Sequence, residues 1–290
     1  MPRVVISASR RTDIPAFYMP WFMDAIAKGH FEVQHPYSRR VTKVAATPER
    51  VHTIVFWSKN FGPFLSRGDG DRLMRKGYRL FFNFTINSSH PVLEPGMPPL
   101  EERLDQLAQL SRLYGPECIQ WRFDPICFFK GPTGKLENNL NQFDAITRRA
   151  ADVGVRVCIT SFVDLYRKVV SRIKIHSNLE LIDPPLTQKA ALIEKLSKKL
   201  SAMEIDLMLC CEKEVLAAMP ADVPVTASAC IPNDRLMTLY GKDISLARDF
   251  GQRAKAGCQC RVSKDIGSYA LHPCGHNCLF CYANPKIDKE

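Results

Sequence analysis

The stretch Ile119-Gln-Trp-Arg-Phe-Asp-Pro-Ile126 decides how this chain reads. It is short and rich in large apolar residues. Its polar Arg122 and Asp124 alternate with Trp121 and Phe123, which puts both charges on one face of a strand. If that face looks inward, the two must pair or meet a ligand, because an isolated buried charge is costly. Similar runs, rich in β-branched and aromatic residues, recur at residues 4–9, 53–58, 80–86, 155–163, 205–211 and 223–231. Several are apolar on consecutive positions, as parallel strands covered on both faces are.

Helical patterns fill the gaps at residues 16–27, 64–76, 100–113, 139–151 and 186–203, with a short one at 233–240. In the 186–203 segment, Ile193, Leu196, Leu200 and Met203 form an apolar stripe at helical spacing. Strands alternating with helices imply parallel βα units. The α/β fold expected is a TIM-like (β/α) barrel, complete or partial, over residues 1–248. Residues 249–290 lose the apolar periodicity and read as a cysteine-rich, cluster-binding extension lying on the barrel.

The chain has 290 residues, 46% hydrophobic and 24% charged, which is ordinary for a globular protein. That length can bury a core without a disulfide or metal staple. No uninterrupted apolar run reaches the roughly 18 residues of a membrane helix, so no membrane partner is expected. The first strand runs at once into Arg10-Arg11, which leaves no room for the apolar core of a signal peptide. A cytoplasmic location is the expectation. The net charge of +10 is spread along the chain, and its densest part, Lys195, Lys198 and Lys199, reads as the wet face of a helix. A nucleic-acid partner is therefore not favoured.

Eleven cysteines need an explanation, and five fall within the last 33 residues. A reducing compartment argues against a disulfide scaffold. Cys274, Cys278 and Cys281 follow a C-x3-C-x2-C pattern with Phe280 before the third. Such spacing also fits one face of a helix, but Pro273, Gly275 and Asn277 are poor company for one. As a loop, the three thiolates can each take one iron of a [4Fe–4S] cube. The fourth iron then lacks a local cysteine. Cys258 and Cys260 are additional metal candidates that complete this cluster, help hold a second, or bind nothing. The rival metal reading is zinc, held by Cys258 and Cys260 with two of the C-terminal cysteines, or with His272 and His276.

The cysteine pattern resembles the signature of radical S-adenosylmethionine (SAM) enzymes. That resemblance implies SAM on the open iron, reductive cleavage of SAM, and radical chemistry on an unknown substrate by an oxidoreductase or lyase. It also implies an electron donor such as ferredoxin or flavodoxin. In that superfamily the motif follows the first barrel strand, whereas here it lies within the last 17 residues. A wider resemblance rests on Ile6-Ser-Ala-Ser-Arg-Arg-Thr-Asp-Ile-Pro15, Val55-Phe-Trp-Ser-Lys-Asn60, Trp121-Arg-Phe-Asp-Pro-Ile126, Ser161-Phe-Val-Asp164 and the cysteine-rich tail. These are similar to a bacterial family known as domain of unknown function 1848, noted for a C-terminal cysteine cluster like that of radical SAM proteins.

In a barrel, chemistry gathers at the carboxyl ends of the strands. This rule selects Ser9, Arg10, Arg11, Asp13, Ser58, Lys59, Asn60, Asn83, Thr85, Arg122, Asp124, Ser161, Asp164 and Glu212. Arg10, Arg11, Arg122 and Asp124 are the candidates for binding SAM or substrate, since a guanidinium fork pairs with carboxylates and phosphates. The plainer alternative pairs Arg10 or Arg11 with Asp13 or Asp124. His35, His52, His90 and His176 read as loop or surface histidines. Two other functional readings stay open: an electron-transfer or structural iron–sulfur protein, and a nucleic-acid repair or modification protein.

Overall fold

The computed structural model describes residues 3–34, 40–241 and 244–283. All seven expected strands form: β1 (Val4–Ala8), β2 (Val51–Ser58), β3 (Leu80–Thr85), β4 (Ile119–Ile126), β5 (Val157–Phe162), β6 (Asp206–Leu209) and β7 (Val225–Ala227). An eighth, β8 (Lys264–Asp265), joins them. They make one parallel sheet in the order β7-β6-β5-β4-β3-β2-β1-β8.

The crossovers carry α1 (Ile14–Phe17) and α2 (Met19–Lys28), α3 (Gly62–Ser66) and α4 (Asp69–Arg75), α5 (Leu100–Tyr114) and α6 (Phe143–Asp152). After β5 come α7 (Arg167–His176) and α8 (Leu186–Ser201), then α9 (Lys213–Ala217) and α10 (Asn233–Tyr240). The helix expected at 16–27 breaks at Tyr18 (φ −129°), one residue ahead of Met19-Pro20. The one expected at 64–76 breaks at Gly68, whose φ of 62° is a left-handed conformation that glycine tolerates. Met203 lies beyond the end of α8 and is 38% exposed, so it drops out of the expected apolar stripe.

Alternation along the strands sorts the two faces of the sheet. Phe56, Phe82, Phe84, Trp121 and Phe123 look toward the helices, where their rings meet Phe22, Phe61, Phe64, Tyr114 and Phe143. Each such side chain taken from water contributes roughly 1.5–3 kcal/mol. The residues between them, Trp57, Asn83, Gln120 and Arg122, take the opposite face. Register places Trp57 beside Asn83 and Asn83 beside Gln120.

That second face is concave. Asn83 Nδ2 on β3 donates to the Cys230 carbonyl at 2.9 Å, and Arg122 Nη1 on β4 reaches Cys230 Sγ at 2.8 Å. Cys230 follows the edge strand β7, four strands from β3. In a flat sheet that separation is about 19 Å at a strand spacing of about 4.8 Å. The sheet must curl to bring them together.

No ladder joins β7 to β8 among the described residues. The edges meet through coil instead, where Arg261 N–H donates to the Ile231 carbonyl at 3.1 Å. A curled, parallel, eight-stranded α/β sheet is thus what forms, among the described residues, of the TIM-like (β/α) barrel, complete or partial, that was expected.

The segment from 249 does more than lie on the sheet. It supplies β8, which pairs Ser7 with Asp265, and it puts Cys258, Cys260 and Ile266 into the main core. Two residues, one lysine and one aspartate, carry no periodicity to read. Residues 284–290 of this segment lie outside the described residues. His52 corrects another expectation: it is buried in β2, with hydrogen bonds to Thr53 Oγ1 at 2.7 Å and the Gly241 carbonyl at 2.9 Å. His35 lies outside the described residues. Among those residues no helix is long and apolar enough to cross a membrane.

Candidate functional site

Asp13 ties three parts of the chain together. It caps α1, with Oδ1 accepting from Ala16 N–H at 3.0 Å. Its Oδ2 accepts from Ser58 Oγ at 2.9 Å and Lys59 N–H at 2.8 Å, both at the end of β2. The same oxygen meets His276 Nε2 at 2.8 Å, inside the cysteine loop. The loop carrying Cys274, Cys278 and Cys281 is thereby fixed over the carboxyl ends of β1 and β2.

Further bonds hold the loop down. His276 O accepts from Gly96 N–H at 3.1 Å, and Leu279 N–H donates to Leu93 O at 2.9 Å. Arg172 of α7 reaches the carbonyls of Leu279 at 3.1 Å, Cys281 at 2.7 Å and Ala283 at 3.4 Å. Tyr282 Oη donates to Arg10 O at 2.7 Å. Cys278, Leu279 and Phe280 join Leu93, Cys127, Phe129, Val163, Val169, Ile173 and Leu181 in a second apolar cluster. Asn277 takes a φ of 54°, an uncommon conformation outside glycine that often marks functional loops.

Burial raises the thiols of Cys278 and Cys281, and burial together with Asp13 pushes Cys274 up to about 12. Left to themselves they stay protonated and are poor nucleophiles. A metal is the agent that would turn such thiols into thiolate ligands.

Next to Cys278 stands the buried ion pair of Lys59 and Glu94, at 2.5 Å. Cys278 Sγ is 3.8 Å from Glu94 Oε1, and the Lys59 ammonium lies 5.3 Å from the Phe280 ring centroid. Burial alone would lower Lys59, but Glu94, Cys278 and Asp124 outweigh it and raise the group. Asn87 connects this pair to β4, bonding Glu94 at 3.4 Å and Asp124 N–H at 2.8 Å. Glu94 and Asn87 come from an irregular segment after β3 where no sequence period points to them.

Arg122 and Asp124 do share a face and pair at 2.6 Å, while Ser161 Oγ holds the other Asp124 oxygen at 2.5 Å. The guanidinium groups of Arg10 and Arg122 both lie over the Trp57 ring, at 5.5 and 5.4 Å from its centroid. The carboxylate facing Arg10 and Arg11 is neither Asp13 nor Asp124. It is Asp265 on β8, which accepts from Arg10 N–H at 2.8 Å, Ser7 Oγ at 2.9 Å and Ser9 Oγ at 2.6 Å. Arg11 Nε stands 3.9 Å from it.

Other strand-end residues disperse. Asn60 Oδ1 accepts from Gly62 N–H at 2.9 Å at the start of α3, Asp164 pairs with Arg253 at the surface, and Glu212 accepts from Phe162 N–H at 2.8 Å. Burial pushes the Glu212 carboxyl up to about 7. It lines a cavity of about 300 Å³ with Lys213, Arg248, Lys255 and Gln259, away from the 274–281 loop.

Cys258 and Cys260 do not face that loop either. They meet Cys211 and Cys230, and His272 packs on Trp21 at 4.2 Å between centroids. The zinc set that combines Cys258 and Cys260 with C-terminal cysteines, or with His272 and His276, is therefore not assembled. As the side chains stand, no three His, Cys, Asp or Glu among the described residues are arranged to hold a metal ion. The donor chemistry of the loop nonetheless suits an iron–sulfur cluster: three thiols from one short segment, Cys278 buried and Cys274 and Cys281 half-buried, with a lysine and an arginine beside them.

These features define an α/β protein with a curled parallel sheet and a three-cysteine loop docked on its carboxyl edge. The chain belongs to the family described as domain of unknown function DUF1848, whose model matches residues 5–283. No curated protein sequence matches it. Among solved structures it has a slight likeness to a D-hydantoinase, with a TM-score of 0.32 and 11% identity over 68% of this chain. The chain spans 44% of that protein. A protein assigned as an alpha-L-fucosidase from Bacteroides thetaiotaomicron gives a TM-score of 0.26 and 8% identity, covering 82% of this chain and 88% of the other. Both likenesses are too slight to bear on fold or activity.

Proposed function

We propose that this chain is an iron–sulfur protein of the radical SAM type, with Cys274, Cys278 and Cys281 holding a [4Fe–4S] cluster at the mouth of a partly closed TIM-like barrel. The observation that carries the reading is the docking of the loop on the carboxyl ends of β1 and β2, through the 2.8 Å contact of His276 with Asp13. Ligand sites of parallel α/β folds favour that edge. Had the loop packed on the opposite edge, a structural role would be the better reading.

A cluster of this kind, when bound, supplies one-electron reducing power, chemistry that amino-acid side chains lack. The chain's own residues have other tasks. Phe280, Leu279 and Leu93 exclude water from the loop. Lys59 and Arg172 set positive charge beside the thiols, which favours their anionic form. Asp124, within electrostatic reach of Lys59, offers a carboxylate edge on the concave face to SAM or substrate, with Arg122 holding it in place. Arg10 and Arg11 flank the same rim.

Anaerobic purification and reconstitution with iron and sulfide test the reading. A cluster signal in electron paramagnetic resonance after reduction, lost when Cys274, Cys278 and Cys281 are changed together to alanine, is the expected result. Reduced protein should then convert SAM to 5′-deoxyadenosine. A loop that takes no iron overturns the proposal, and a cluster that yields no 5′-deoxyadenosine overturns its radical part.

A further inference from the structure

Five cysteines outside the C-terminal loop meet one another. Cys210 Sγ lies 3.8 Å from Cys211 Sγ and 3.7 Å from Cys230 Sγ. Cys230 also contacts Cys260, Cys260 contacts Cys258, and Cys258 contacts Cys211. The contacts close into a ring of five thiols.

The ring draws on three separate stretches of chain. Cys210 and Cys211 follow β6, Cys230 follows β7, and Cys258 and Cys260 precede β8. Burial of cysteine as a small hydrophobe explains one thiol, or two. It does not explain five in mutual contact beside two cations. Arg122 Nη1 is 2.8 Å from Cys230 Sγ, and the Arg10 guanidinium hydrogen-bonds Cys260. Cys211 takes a φ of 62°, which is uncommon for a non-glycine residue.

The spacing admits a zinc ion. A zinc ion with Zn–S bonds of about 2.3 Å sets its four sulfurs about 3.8 Å apart along each tetrahedral edge. The two measured spacings, 3.7 and 3.8 Å, match that edge. A cubane cluster places its cysteines on four different irons and holds them farther apart. We propose that Cys210, Cys211, Cys230, Cys258 and Cys260 form a second metal centre, a tetrathiolate zinc site using four of the five sulfurs and separate from the 274–281 loop.

Binding requires the ring to close around one point, which its members do not yet surround. Its place in the fold gives it a task. Among the described residues β7 and β8 share no ladder, and the ring joins the chain leaving β7 to the chain entering β8. Zinc here staples the open seam of the sheet. Arg122 then links the staple to Asp124 on the concave face.

The test is metal analysis of anaerobically purified, unreconstituted full-length chain. The wild type should carry about one zinc per chain, as a structural thiolate site does. The Cys274, Cys278, Cys281 triple alanine variant should keep it, which separates this proposal from the function proposed for the loop. Cys258→Ser combined with Cys260→Ser leaves three thiols, too few for the tetrahedron, and should lose it. Cys211→Ser leaves four and should retain it. Cobalt(II) added to the chelator-stripped wild type and triple variant should give the thiolate charge-transfer and intense visible bands of tetrahedral sulfur ligation, a readout that does not depend on how the serine variants fold. Absence of zinc from the wild type overturns the proposal. So does iron with sulfide that survives in the triple variant, or a Cys210–Cys230 disulfide.

Discussion

Replacing Asp13 by asparagine should loosen the cysteine loop and the first crossover together. The change is isosteric, so its cost comes from hydrogen bonding alone. Oδ1 accepts one bond, from Ala16 N–H, and Oδ2 faces Ser58 Oγ, Lys59 N–H and His276 Nε2. An amide must turn its NH2 toward one of these two sets. Facing Ala16, it loses the helix cap, which costs roughly 0.5–2 kcal/mol. Facing Lys59, it opposes a backbone N–H that has no freedom to turn. In either pose the remaining bonds lose their charge assistance, on the order of another 1–2 kcal/mol.

The total is about 1.5–4 kcal/mol, which for a chain of this size lowers Tm by about 2–7 °C. Thermal unfolding measures the total. Limited proteolysis of residues 268–283 measures the share that belongs to the loop. A double-mutant cycle with His276→Gln should show that the two effects are not additive. If Asp13→Asn melts within about 1 °C of wild type, with the loop equally protected, the hub role assigned to this carboxylate is refuted.

Gly96→Ala should displace the loop, because its Cβ would lie 2.6 Å from His276 O and 2.9 Å from Gly275 O, backbone atoms that no rotamer change moves. The expected cost is about 1–3 kcal/mol by denaturant unfolding; an unchanged midpoint argues against close docking. Arg172→Met strips its donors from the Leu279 and Cys281 carbonyls and should cost about 2–3 kcal/mol, read as faster cleavage in the loop. Arg172→Lys should recover only part, since an ammonium cannot fork between carbonyls as a guanidinium does.

His90 carries a pH dependence. Burial holds its imidazole below the usual value, and its Nδ1 accepts from Leu93 N–H at 3.2 Å. The unfolded chain therefore takes the proton first. Stability is full above about pH 6.5 and declines as the pH falls through that value. Melting curves at pH 5.5 and 7.5 should show a drop on acidification that is smaller in His90→Gln.

The sequence by itself determined the strands. Alternation in Ile119–Ile126 and consecutive apolar runs elsewhere leave one backbone geometry that buries them, so all seven strands and the shared face of Arg122 and Asp124 were legible. The cysteine loop was legible too, as spacing within one short segment. Tertiary structure alone decided the rest. Two-residue β8 carries no period, yet it brings Asp265 to Arg10 and Arg11 across more than 250 residues of chain. Glu94 reaches Cys278 from an irregular segment, and five scattered cysteines meet only because the sheet curls and its edges approach. Local periodicity records how a segment satisfies its own backbone and buries one face. Which segments then become neighbours depends on closing the whole sheet, and no window of sequence contains that information.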